Sequence, residues 1–122
     1  MSADAPTIDN PLEAAASQMR TLYRDGEPLP PPLDHGSMDR MLVHIDNINR
    51  SVIASTQDHV NAAKRLNDFA VIFARLATNS EQPNGAIAMR MTAVADNLRA
   101  ASEQLAGANA ILRWRAPDRD KG

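Results

Sequence analysis

Residues 38–79 read MDRMLVHIDNINRSVIASTQDHVNAAKRLNDFAVIFARLATN, and they decide the fold. With Met38 at heptad position a, the a positions are Met38, Ile45, Val52, His59, Leu66 and Phe73. The d positions are Met41, Ile48, Ser55, Ala62, Phe69 and Leu76. Steps of three and four alternate without a slip, which is the pattern of a coiled-coil seam. No glycine or proline interrupts the stretch. The pattern predicts one helix over 38–79, about 60 Å long at about 1.5 Å per residue, with Ser37 as its cap and Asn79-Ser80 as its close.

Downstream, Glu81-Gln-Pro-Asn-Gly85 has the composition of a reverse turn. A second heptad follows, with Ile87, Val94, Ala101 and Ala108 at a and Met91, Leu98, Leu105 and Leu112 at d. It predicts a helix over 86–115, stopped by Pro117 because the residue before proline avoids the helical region. Two helices with matching seams and a short turn fold back as an antiparallel hairpin. If Asn79 faces residue 85, facing positions sum to about 164 and Leu112 lies opposite Val52.

Upstream, Asn10-Pro11-Leu12-Glu13 reads as a helix start, with Asn10 as cap and Pro11 at the first helical position. Leu12, Ala15, Ala16, Met19, Leu22 and Tyr23 continue at helical spacing up to Asp25-Gly26, giving a helix over 11–24. The Pro-rich stretch 27–36 excludes helix and reads as a stiff spacer. Its Pro28 and Pro31 form a PxxP without the flanking basic residue of an SH3-type ligand. The hairpin leaves residues 38–51 without a partner, and the short helix is long enough to cover them. The expected architecture is all-α: an antiparallel coiled-coil-like hairpin with the short helix packed on the long one. The two shorter helices would stack end to end, bringing Leu12 toward Trp114. Residues 1–9 are expected to be a disordered N-terminus, 10–116 a single domain and 117–122 a flexible tail.

The composition agrees with this class. Alanine is frequent, and only Tyr23, Phe69, Phe73 and Trp114 are aromatic. That favours helices over strands. With no cysteine, a disulfide scaffold, a cysteine nucleophile and thiolate metal sites are excluded. The net charge of −2 lacks the basic excess of a dedicated nucleic-acid binder. No apolar run approaches the roughly 20 residues of a membrane helix. No signal-peptide pattern opens the chain, so a cytoplasmic location is expected.

Motifs of enzymatic chemistry are missing. There is no GxSxG, GxGxxG or GxxxxGK[ST]. His44 and His59 are about 22 Å apart along a continuous helix and cannot share an ion. Neither an enzyme activity nor a cofactor or metal is expected. His59 falls in a thin polar layer with Ser55 and Ala62, where it reads either as a register or pH device or as a histidine reaching solvent.

What remains is surface. Val43, Ile53, Val60, Val71, Ile72, Met89 and Ile111 lie off the two seams. Ile53 and Val60 are seven apart and share a face of a continuous helix. Arg113-Trp114-Arg115 offers an anchor for a protein partner, or simply helix-end packing with cations at the negative end of the dipole. The sequence therefore predicts a non-enzymatic helical interaction or assembly module, self-associating or part of a larger complex. Its candidate contact residues are Ile53, Val60, Arg113, Trp114 and Arg115. One alternative is a small regulatory binder, an inhibitor, adaptor or antiactivator, that holds a partner protein through a helical face and Trp114. A nucleic-acid role is the weaker alternative and would need Arg20, Arg24, Arg113 and Arg115 to converge. In architecture alone, such a hairpin with a loose N-terminus is similar to secreted type III needle and rod subunits and to small phage or plasmid proteins.

Overall fold

The computed structural model describes residues 10–25, 29, 33–80 and 85–121, with side chains described as far as residue 108. Among the described residues, four helices follow one another: α1 (Pro11–Arg24), α2 (His35–Arg50), α3 (Thr56–Thr78) and α4 (Ala86–Lys121). No strand occurs among the described residues. The expected N-terminal tail, the PxxP and most of the 81–85 turn lie outside them.

Helix α1 starts as its sequence dictates. The Asn10 side chain accepts the Glu13 N–H at 3.1 Å and Pro11 fills the first helical position. Its buried face is Leu12, Ala15, Ala16, Met19 and Leu22. Helix α2 starts earlier than expected. Asp34, not Ser37, is its cap, accepting the Ser37 N–H at 2.8 Å.

The single long helix over 38–79 is corrected: it is broken at 51–55. Ser51 closes α2 in extended conformation, φ −68° and ψ 148°, and both its N–H and its hydroxyl donate to the Asn47 carbonyl. Ser55 opens α3, accepting the Asp58 N–H at 3.1 Å. Between the serines stand Val52 and Ile53, whose branched side chains lose rotamer freedom in a helix. Serine hydroxyls offer the backbone partners outside the helical ladder. Each effect is small. The bend wins because it brings Met38, Met41 and Ile45 into the same core as Leu66 and Phe73. A straight helix would leave the first three covered by α1 alone.

The helices form an up-down-up-down ring in which every neighbour is antiparallel. Arg20 Nη2 donates to both carboxylate oxygens of Asp46, at 2.8 and 3.0 Å, and Tyr23 meets His35 edge-on, joining α1 to α2. His44 lies beside Arg65 and Phe69, joining α2 to α3. Ser102 donates its hydroxyl to the Ala63 carbonyl at 2.8 Å, joining α3 to α4 in the register expected of the hairpin. Asn97 donates to Gln18 at 2.7 Å, and Arg90 pairs with Asp25, joining α4 to α1. The end-to-end stacking of the two shorter helices is thereby corrected: α1 lies alongside α4. Small side chains make this possible, since Ala88 and Ala95 sit beside the α4 seam and are buried with Ala15 and Ala16. Side chains at 109–121 lie outside the description, so the approach of Leu12 to Trp114 does too.

One core runs through all four helices, with Met19, Met38, Ile45, Leu66, Phe73, Met91, Val94 and Leu98 fully enclosed. No polar or charged side chain is buried among the described residues. Helix α4 continues past Pro117 to Lys121 rather than ending near 115. Proline lacks the N–H to satisfy one carbonyl four residues back, and near a helix end this removes only one bond from the final turns.

Candidate functional site

Three regions outside the core carry the distinctive side chains. The first is the 51–55 linker. Val52, expected at a seam position, is 93% exposed, because the bend places it on the outside. Ile53 is half-buried in the linker while Val60 is exposed on α3, so the shared helix face expected for the two does not exist. His59 stands in the first turn of α3, not in mid-seam. Its Nδ1 lies 2.9 Å from the Ser55 carbonyl and its ring is partly exposed.

The second region is the outer surface of the bundle. Val60 and Val71 are exposed and eleven residues apart, three turns along the same side of α3. Ile72 and Val43 are also exposed, and Met89 on α4 is 64% exposed. Leu42, beside the α2 seam, is instead buried. Single exposed apolar residues are ordinary, but a row of them on a small bundle offers contact area.

The third region is the end of the bundle where α1 begins and α2 stops. Asn10, Leu12, Ile48, Asn49, Ala101, Gln104 and Leu105 line an open cavity of about 170 Å³. Its polar groups are three carboxamides, one of which donates across the cavity from Asn10 to Asn49 at 3.4 Å. Carboxamides can orient a hydrogen-bonding group, but they neither titrate near neutral pH nor act as nucleophiles. No group of three His, Asp or Glu side chains is placed to hold a metal among the described residues. No helix among them is long and apolar enough to cross a membrane.

Of the five candidate contact residues, Ile53 and Val60 fall in the first two regions. Arg113, Trp114 and Arg115 belong to α4, with their side chains outside the description. Arg20, needed for a basic patch, is engaged with Asp46. Sequence reasoning missed the cavity and the Gln18–Asn97 bridge, because both depend on α1 lying beside α4. No protein-family model matches the chain, and neither the curated proteins nor the solved structures include a significant match.

Proposed function

We propose that this chain is a non-enzymatic helical interaction module whose partner is another copy of itself. The reading is carried by the apolar side chains that remain outside the core on the linker and α3: Val52, Val60 and Val71. Covering them removes apolar area from water, at about 25 cal/mol per Å². A small bundle also gains more than a large one from association, because it buries a smaller share of its own surface.

Molar mass by light scattering across a concentration series tests the reading. Self-association predicts a mass that rises above 13.2 kDa with concentration. A single 13.2 kDa species over the whole range would overturn it and turn attention to a different protein as partner.

A further inference from the structure

Helices α2 and α3 bury the same heptad positions on either side of their break. Counting from Met38 as a, α2 buries Met38 (a), Met41 (d), Leu42 (e) and Ile45 (a). Without resetting the count, α3 buries Ala63 (e), Leu66 (a), Ala70 (e), Phe73 (a), Leu76 (d) and Ala77 (e). Nothing about a bent connection requires this phase to be kept. A continuous helix requires it, since only then do both halves present their apolar stripe to one side.

We propose that residues 51–55 are a hinge through which two copies of this chain exchange their α1–α2 hairpins, the hinge turning helical so that α2 and α3 become one helix. The proposal deepens the self-association reading and rests on it. In the exchanged dimer the α1–α2 hairpin of one copy packs on the α3–α4 hairpin of the other. The α1–α4 and α2–α3 contacts of the closed bundle are remade between chains while the α1–α2 and α3–α4 contacts stay within each chain, which is why such exchange costs little.

Four observations favour it. The hinge sequence Ser-Val-Ile-Ala-Ser contains neither glycine nor proline, so nothing in it forbids a helix. Val52 is 93% exposed when the chain is bent, yet it occupies an a position when the chain is straight. The α2–α3 interface is the slightest of the four, so the bend is held by few direct contacts between the helices it joins. Helix α4 also outruns the closed bundle. By the Ala63–Ser102 register, Thr56 lies opposite position 109, and α4 continues to Lys121. A straight α2–α3 helix would supply the missing track beyond Thr56. Straightening loses the Ser55 cap on Asp58, keeps the Ser51 N–H bond to the Asn47 carbonyl, which already has helical i to i−4 spacing, and gains the ladder hydrogen bonds of the residues that follow.

The chain has no cysteine, so spin labels can be placed without altering native thiols. Asp39 and Asp68 are exposed, on α2 and α3 respectively. Labels on an Asp39→Cys, Asp68→Cys chain, diluted with excess unlabelled protein, report the distance within one chain. Adjacent antiparallel helices hold them within roughly 20 Å, and a straight helix separates them by about 43 Å. Two hinge variants accompany the measurement. Ala54→Pro bars the straight helix; the Ala54 N–H makes no backbone hydrogen bond in the bent form, so unchanged helicity and melting confirm that the bundle survives. The triple change Val52→Ala, Ile53→Ala, Ser55→Ala favours the straight helix. It should raise the dimerisation constant about tenfold per hinge, about a hundredfold in all.

The expected result is a dimer with the long distance that Ala54→Pro abolishes and the triple variant strengthens. A dimer that keeps the short distance, or that forms equally well in Ala54→Pro, overturns the exchange while leaving self-association standing. A monomer at every concentration, in the triple variant as well, overturns both.

Discussion

Asn97 on α4 donates its side-chain amide to the Gln18 carbonyl on α1 at 2.7 Å, a bond between residues 79 positions apart. It bridges the α1–α4 interface, and both residues are partly buried. Replacing Asn97 by Ala leaves the Gln18 amide without this partner. The expected loss is about 1 kcal/mol, or about 5 °C in Tm for a chain of this size. Gln18→Ala should cost a similar amount, and the double variant less than the two together, because they share one bond. Full additivity in thermal melts would show that the bridge contributes nothing.

Leu98 and Met89 lie nine residues apart on α4 with opposite fates. Leu98 is fully enclosed and Met89 is 64% exposed. Leu98→Ala removes buried methyl groups and leaves a cavity, at an expected cost of about 2–5 kcal/mol. Met89→Ala should change stability by less than about 0.5 kcal/mol in the monomer. Urea denaturation of both at low concentration checks the pair. Similar midpoints would mean that α4 is rotated from the face described.

The hairpin register was legible because it depends on local arithmetic. Val94, Leu98, Leu66 and Phe73 are buried where the heptads put them, and the Ser102–Ala63 bond falls at the expected offset. The break at 51–55 was not legible, for a physical reason: the heptad crosses it in phase, and no helix-breaking residue marks it. A faint signal existed in Ser55-Thr-Gln-Asp58, a cap with an acidic residue three positions on. The placement of α1 was hidden because Ala88 and Ala95 look like filler in sequence. Only in the bundle do these small residues become a surface on which Ala15 and Ala16 can approach. Val60 lies outside the core, as its off-seam position implies. The companionship of Ile53 failed with the helix that was to carry both.

Gly107 sits within α4, exposed, and a Cβ added there meets no atom within 4 Å. Glycine in a helix interior loses more backbone freedom on folding than alanine does, by about 0.5–1 kcal/mol. Gly107→Ala is therefore expected to raise Tm and to slow amide hydrogen exchange in α4 around the substitution. Unchanged protection there would indicate that this part of α4 frays independently of its intrinsic propensity.

Asp34 links α2 to pH. Its carboxylate accepts the Ser37 N–H at the start of the helix, and the nearby Ser37 hydroxyl and Arg40 also favour the charged form. These hold its carboxyl below the ordinary carboxylate range. A group whose pKa is lower in the folded chain stabilises the fold above its unfolded value, near about 4. That contribution is lost as pH falls through the folded value. Asp34→Ala should therefore melt below the native chain at pH 7, with the difference narrowing as pH drops below about 4. Asp34→Asn keeps a capping oxygen without the charge, so at pH 7 it should retain most of the native Tm and show a weaker acid dependence. Parallel Tm curves for the native chain and Asp34→Ala down to pH 2 would remove this carboxylate from the acid response, leaving other carboxylates to account for it.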